Sequence, residues 1–321
     1  MKLQSLSVSL CIALLAVPMP HAVAAQEDKG SFMLSVLRRD GIVIPFATFD
    51  GRRWSERWPE GLPSERPISL EDIPGSWWGI EPAPRRMRQW SDGTPLGEVT
   101  ITAPVVTPLM CAPRIALRSD YTSSQPVAPG FVLPYPKDGL LVAGAATLSR
   151  IDVVDPASVE ATGVLRLAID EINKHETAAA SGFSAWRHPI KPNDRKRVPV
   201  TLEAIYRAPA DEPGWTAYFI ETVRQYPPGP DEKDGCGLAT FASGWVVTGP
   251  GRATVRVGAR ITYCDRKGVG YMLPFGVVRA DGKSYWVFQY AGFEIESYQV
   301  MRPHRRGADP AVVYTAGVCG R

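Results

Sequence analysis

Two glutamates near the C-terminus have the spacing that catalysis by paired acids requires. Glu294 and Glu296 alternate within a strand-like segment, so on a strand they would share one face. Glycoside hydrolysis uses such a pair of carboxylates. The alternative is that both glutamates lie on the solvent-exposed face of a sheet. This alternative is favoured because the sequence indicates no further acid that could act with them.

A histidine and a glutamate lie one helical turn apart in the single helix that the sequence predicts. Glu171 and His175 are spaced i,i+4 and could in principle face a metal ion. A helical wheel places both residues outside the apolar stripe and toward solvent. A surface pair is therefore favoured over a catalytic pair or a pair of metal ligands. The sequence predicts no metal site and no cofactor.

Tryptophan is the unusual residue of this chain, with nine in total. Indole rings can stack on sugars or anchor a protein partner, because they offer a large rigid surface. The alternative is that they fill the core of a loop-rich protein. The candidate binding residues, all in loop-like segments of the first third, are Trp54, Trp58, Trp77, Trp78 and Trp90.

Four cysteines follow residue 25, and an even number in an exported chain predicts two disulfides. Two strand-like segments flank Gly249-Pro250-Gly251. A turn centred on Pro250 places Cys236 opposite Cys264 and Trp245 opposite Val255. The remaining pair is then Cys111–Cys319. A zinc site is disfavoured because no C-x₂-C spacing is present.

The N-terminus has the features of a secretory signal peptide over residues 1–25. Lys2 precedes an apolar segment from Leu3 to Val17, and Ala22-Val23-Ala24 provides a small-residue cleavage site. The apolar segment is too short to anchor the chain in a bilayer. We therefore expect export to the periplasm or the extracellular space.

Composition excludes several classes of protein. The 321 residues carry 36 Lys+Arg against 33 Asp+Glu, which is too even a balance to attract nucleic acid through charge. No apolar segment after residue 25 approaches membrane length. The 29 glycines and 30 prolines are too many for a helical bundle. No nucleotide-binding or hydrolase motif is present.

The mature chain, residues 26–321, is expected to form a single β-rich domain. Residues 31–155 are short apolar segments, residues 156–178 form a helix capped by Asp155, and residues 196–303 form a β-meander. The fold class is therefore mainly antiparallel β, either propeller-like or a two-sheet sandwich. One amphipathic helix packs on a sheet, and disulfides link the chain.

Asp-Gly dipeptides predict the hairpins, because a type I′ turn needs positive φ at both central residues. Asp40-Gly41 places Phe32 opposite Phe49 and Leu37 opposite Ile44. Asp281-Gly282 places Val277 opposite Trp286 and Phe275 opposite Phe288. The segments also resemble each other, since Pro45-Phe46 and Pro274-Phe275 each precede an Asp-Gly. This echo is the basis of the propeller alternative.

These features predict an exported binding module that uses its aromatic-rich surface, with a glycan or a protein as partner. The first alternative is a hydrolase acting on envelope or extracellular polymer. The second is a structural envelope component without a small ligand. The oligomeric state is left open.

Overall fold

The structure is a computed structural model that describes residues 30–125, 127–128, 134–182, 188–228 and 237–319. The predicted signal peptide lies outside these residues. In chain order, the first half contains β1 Phe32–Arg38, β2 Ile42–Phe49, β3 Trp54–Ser55, a 3₁₀ turn Leu70–Asp72, α1 Gly75–Trp78, β4 Arg86–Ser91, β5 Thr94–Leu109, β6 Ala112–Ser119, β7 Lys137–Gly144, β8 Leu148–Ser149 and β9 Asp152–Val153. The second half contains α2 Val159–Ser181, α3 Pro192–Arg195, β10 Thr201–Pro209, β11 Thr216–Gln225, β12 Leu238–Gly249, β13 Arg252–Tyr263, β14 Gly270–Ala280, β15 Lys283–Gly292, β16 Ile295–His304 and β17 Gly307–Val318.

The first half of the chain closes into a six-stranded antiparallel barrel. Its strand order is β1-β7-β4-β5-β6-β2, and β1 pairs with β2 to complete the ring, with β3 added outside β2. The sixteen-residue β5 makes this closure possible, since its first half pairs with β4 and its second half with β6. The barrel is not foreseen by the sequence analysis.

The second half forms two five-stranded antiparallel sheets that pack face to face. The central sheet has the order β17-β16-β15-β14-β8, and the outer sheet has the order β13-β12-β11-β10-β9. Phe219 and Trp245 of the outer sheet meet Trp286 and Phe288 of the central sheet in one buried cluster. The central sheet packs its other face on the barrel. The mainly antiparallel β class with one packed helix is thus confirmed, but the described strands form a barrel with two further sheets, which is neither a propeller nor a simple two-sheet sandwich.

Helix α2 covers the outer sheet, as the predicted amphipathic stripe requires. Ala161, Val164, Ala168 and Ile172 are buried against apolar side chains of the outer sheet. The helix begins three residues later than predicted, because Ser158 caps it and accepts a hydrogen bond from the Ala161 N–H at 3.1 Å. Asp155 instead closes the preceding turn, accepting from the Ala157 N–H at 2.9 Å.

The two Asp-Gly hairpins are found, but each register changes at a bulge. Phe32 lies opposite Phe49 as predicted, whereas Leu37 lies opposite Val43 instead of Ile44. Asp40 does not adopt positive φ, so the turn takes three residues, Arg39 to Gly41. Phe46 then occupies a bulge that restores the predicted register farther along the strands.

The second hairpin shows the same bulge at its matching position. Asp281 and Gly282 both have positive φ, and Val277 lies opposite Trp286 as predicted. Phe275 is the bulge residue, so Phe288 lies opposite Pro274 instead of Phe275. The echo between the two Pro-Phe segments therefore corresponds to a shared β-bulge, and it does not mark the blades of a propeller.

The β12–β13 register differs from the prediction by one residue. Trp245 lies opposite Arg256, and Val255 lies opposite Val246, because the turn has two residues, Pro250 and Gly251, instead of three. Gly251 supplies the positive φ at this turn. The shift places Trp245 and Val255 on opposite faces of the sheet.

One predicted disulfide is found and the other is untested. Cys111 and Cys319 are bonded, with their Cα atoms 4.7 Å apart and a separation of 208 positions in the sequence. The bond links the β5–β6 turn to the end of β17. Cys264 also takes part in a disulfide. Cys236 lies outside the described residues, so its predicted pairing with Cys264 stays a prediction. In the part of the chain that the structure describes, no helix is long and apolar enough to cross a membrane.

Candidate functional site

A cleft of about 350 Å³ opens where the barrel meets the edge of the central sheet. We call it the barrel cleft. Barrel strands β4, β5 and β7 form its floor and one wall, and β14 forms the opposite wall. Its lining residues from the barrel include Arg39, Gln89, Trp90, Leu96, Tyr121 and Asp138, and those from the central sheet are Leu273, Pro274 and Phe275.

Asp138 is the centre of the polar floor of the barrel cleft. Its carboxylate accepts one hydrogen bond from Arg39 Nε at 2.9 Å and another from the Tyr121 hydroxyl at 2.8 Å. The Gln89 side-chain amide donates to the Asp138 backbone carbonyl at 3.0 Å. Burial, together with the hydrogen bond to Asp138, raises the pKa of Tyr121, so the phenol stays protonated as a donor. Three donors thus converge on one residue.

A β-bulge directs Asp138 into this position. Leu37 of β1 pairs with Gly139, and Arg38 pairs with Lys137, so Asp138 is the extra residue of β7. Bulges of this kind re-aim side chains and recur next to binding sites. Gly139 has φ of +121°, and a Cβ there would lie only 2.2 Å from the Trp90 carbonyl oxygen. The glycine therefore lets β4 approach closely enough to bring Trp90 to the cleft.

The central-sheet wall of the barrel cleft is apolar, and two large aliphatic side chains of the cleft lining remain exposed. Leu96 is 59% exposed and Leu273 is 46% exposed, although both are large aliphatic residues beside a groove. Trp90 and Phe275 are buried behind them. Among the described residues the Trp90 indole nitrogen has no hydrogen-bond partner. The arrangement suits a small ligand that is polar at the floor and apolar at the rim.

An ion pair buried between barrel and central sheet lies beside this cleft. Lys137 Nζ is 2.5 Å from Glu296 Oε1, and both side chains are at most 3% exposed. The Tyr298 hydroxyl donates to the same Glu296 oxygen at 2.5 Å. Burial lowers the pKa of Lys137, although Glu296 beside it acts in the opposite direction.

The predicted pairing of Glu294 with Glu296 is wrong. Glu294 is exposed in the β15–β16 turn, where its carbonyl accepts from the Cys319 N–H at 2.9 Å. Glu296 lies in β16 and is buried against Lys137. Glu294 precedes the first residue of β16 and is exposed, whereas Glu296 is buried, so the two carboxylates do not line one accessible site. Sequence spacing did not reveal Lys137, which is 159 residues away from its partner.

The candidate tryptophans do not form an exposed surface, because they pack in or against the core cluster to which the barrel strands contribute. Trp58 is 3% exposed, and Trp78 is 2% exposed. Trp58 donates from its ring nitrogen to the Ile115 carbonyl at 2.9 Å, and its ring packs against Trp77 and Trp78. Trp54 is half-buried and packs against Phe32, Phe49 and Tyr285. Of the five, only Trp90 lines the barrel cleft.

Glu171 and His175 lie on the solvent side of α2, as the helical wheel predicts. Their closest atoms, Glu171 Oε2 and His175 Nε2, are 3.6 Å apart, and Lys174 contacts the same carboxylate at 3.2 Å. Their side chains are 36% and 43% exposed. In the described parts of the chain, no three His, Cys, Asp or Glu side chains lie close enough together to hold a metal ion.

Sequence reasoning missed a buried acid between the two sheets. Glu221 is 3% exposed, and its Oε1 accepts a hydrogen bond from the Met272 N–H at 2.6 Å. Burial raises the pKa of Glu221 to about 7, the Met272 hydrogen bond opposes this, and nearby Glu203 adds to it. The alternating pattern of β11 could have indicated the position, since Ala217, Phe219 and Glu221 share the face toward the central sheet.

We expect Glu221→Gln to stabilise the protein at pH 8 by up to about 3 kcal/mol, since one pKa unit corresponds to about 1.4 kcal/mol. The raised pKa means that the folded state binds more protons than the unfolded state between pH 4.5 and 7. The wild-type free energy of unfolding therefore falls as the pH rises through that window. Glutamine keeps the acceptor for Met272 and carries no charge. Urea unfolding at pH 4.5 and 8 measures the difference.

Glu98→Gln is the matched control, because Glu98 is exposed on β5 and is not among the groups that shift the pKa of Glu221. It should give no gain at pH 8. An equal gain from Glu221→Gln at both pH values would contradict a titrating Glu221.

Comparison with protein-family models, with curated proteins and with solved structures finds no match for this chain.

Proposed function

We propose that this protein is an exported saccharide-binding protein whose ligand occupies the barrel cleft. The observation that carries the proposal is the convergence of Arg39, Gln89 and Tyr121 on Asp138 at the floor of a concave site. Saccharides present many hydroxyl groups around a ring with apolar C–H faces. The carboxylate, guanidinium and amide of the floor match the hydroxyls, and the apolar side chains of Leu96 and Leu273 match the ring.

Two further observations support the proposal. The cleft holds about 350 Å³, which is within the size range of small-ligand sites. The buried indole N–H of Trp90, unpartnered among the described residues, is a donor that a small movement could offer to a ligand oxygen. The Cys111–Cys319 bond is compatible with export, because disulfides persist in oxidising compartments.

We expect Asp138→Asn to weaken saccharide binding by about tenfold, which corresponds to roughly 1.4 kcal/mol. The amide loses the charge that Arg39 and Tyr121 stabilise, and it presents one acceptor in place of two. The measurement is a screen of neutral oligosaccharides of two to six sugars and of muropeptides, followed by calorimetric titration of any ligand found. The control is Asp265→Asn, an exposed acid in the β13–β14 connection, which should leave the affinity unchanged.

Two outcomes would count against saccharide binding. One is that the wild-type protein binds no oligosaccharide in the screen. The other is that Asp138→Asn and Asp265→Asn change the affinity equally, which would place the ligand outside the barrel cleft.

A further inference from the structure

The β12–β13 hairpin carries a charge pattern that the barrel cleft does not explain. Its 26 residues from Leu238 to Tyr263 contain three arginines and no lysine, aspartate or glutamate. Arg252, Arg256 and Arg260 are spaced by four, so strand alternation puts them on one face of β13. All three are exposed, and β13 is an edge strand of the outer sheet. We call these three residues the arginine row.

The arginine row is positioned by contacts and is left without opposite charge. The Arg252 guanidinium lies over the Trp215 ring, 5.3 Å from its centroid. The stem of Arg256 lies against Gly307, where an added Cβ would come within 3.1 Å of Arg256 Cγ. No carboxylate among the described residues forms an ion pair with any of the three, whereas Arg207 and Arg266 each have such a partner.

The neighbouring β16–β17 turn extends the positive face. Thr254 lies between two members of the row, and its hydroxyl donates to the Arg305 carbonyl at 2.8 Å. This contact brings the exposed Arg306 beside the hairpin. Arg305 itself is partly neutralised by Glu212, 3.7 Å away.

We propose that the arginine row binds an acidic polysaccharide, a linear polymer of carboxylate-bearing sugars. Eight residues of strand separate its ends, about 26 Å at 3.3 Å per residue. Guanidinium groups bind carboxylates in a bidentate manner, and a line of them matches the repeating charge of such a polymer. Thr254 and Gly258, which alternate with the arginines, provide no apolar side chain that could insert into a membrane. The site is separate from the barrel cleft and does not depend on it.

Protection of an edge strand is the simplest alternative role for these charges, since charged side chains block pairing between sheets. That role needs charge alone. It does not require that the Arg252 guanidinium lie over the Trp215 ring, and it does not require a hairpin without aspartate or glutamate. The two roles differ in their consequences, because loss of protection produces self-association while loss of a polymer site produces weaker binding by a monodisperse protein.

The test compares two triple variants that each remove three positive charges. The first is Arg252→Gln, Arg256→Gln and Arg260→Gln. The control is Arg86→Gln, Arg88→Gln and Arg118→Gln, three exposed barrel arginines that likewise have no ion pair in the described structure. Affinity electrophoresis in polygalacturonate, alginate and neutral dextran gives the dissociation constants. Size-exclusion chromatography monitors association, and a 20-base-pair DNA duplex serves as a second polyanion.

We expect the wild-type protein to bind both uronate polymers and not dextran, with affinity that falls as salt rises. The arginine-row variant should lose at least tenfold in affinity, and the barrel variant less than twofold. Equal losses would mean that only net charge matters and would overturn the proposal. So would wild-type binding that is as tight to DNA as to the uronates, absence of uronate binding in 50 mM salt, or self-association of the row variant with unchanged affinity.

Discussion

Replacing Lys137 with methionine is expected to lower the free energy of unfolding by about 3 to 5 kcal/mol, the cost of leaving a buried charge without its partner. Glu296 is 3% exposed and would lose the ammonium 2.5 Å away. Tyr298 would remain as a donor to the same carboxylate, but a neutral hydroxyl cannot replace a full charge. Chemical denaturation at pH 7 measures the loss.

The matched variant is the double change Lys137→Met with Glu296→Gln. Glutamine keeps an acceptor for the Tyr298 hydroxyl and removes the unpaired charge, so most of the lost stability should return. If the double variant is as unstable as Lys137→Met alone, the loss comes from packing around the lysine stem. That result would contradict a stabilising role for the Lys137–Glu296 ion pair between the barrel and the central sheet.

Removing the Cys111–Cys319 bond is expected to cost about 5 kcal/mol in the chain-entropy description, because the bond closes a very long loop. The two cysteines are 208 residues apart, and the bond connects the barrel to the last strand of the central sheet. The variant is Cys111→Ala with Cys319→Ala, compared with the wild type by urea unfolding without reductant. A loss below about 1 kcal/mol would contradict this account, and would mean that residual structure in the unfolded ensemble already keeps the two ends of this loop close together.

The fold class could be predicted because it depends on local patterns. Strand alternation, Asp-Gly turns and the single apolar stripe each indicate a local element, and the structure contains these elements. The barrel could not be predicted in the same way. Its closure depends on β1 pairing with both β2 and β7, a strand about a hundred residues away, and on the division of β5 between two neighbours.

The register errors have a common physical origin. Both predicted hairpins assume an uninterrupted ladder, whereas Phe46 and Phe275 each form a bulge after a proline that lacks an N–H. At the β12–β13 turn, a two-residue connection replaces the three-residue one. A one-residue change of register exchanges the faces of a strand, so each of these local details decides which side chains meet.

The site residues were harder to predict than the fold, because burial cannot be judged from loop-like sequence. Trp58 precedes and Trp78 follows a segment with Gly and Pro that is typical of a surface loop, but the structure folds both rings onto the barrel. The sequence around Asp138 does not indicate a site, because an aspartate before a glycine is typical of a turn. Its position on the floor of the barrel cleft depends on a bulge and on Arg39 and Tyr121 from other elements.

The most direct test of saccharide binding in the barrel cleft is NMR of the tryptophan indole N–H groups during titration with the tightest-binding oligosaccharide of the screen. The nine tryptophans give separate probes, and Trp90→Phe assigns the resonance of Trp90. A shift of the Trp90 signal that saturates at the calorimetric affinity, with the signals of Trp58 and Trp286 unchanged, is the result that we predict. Saturable binding that leaves the Trp90 signal unmoved would contradict it.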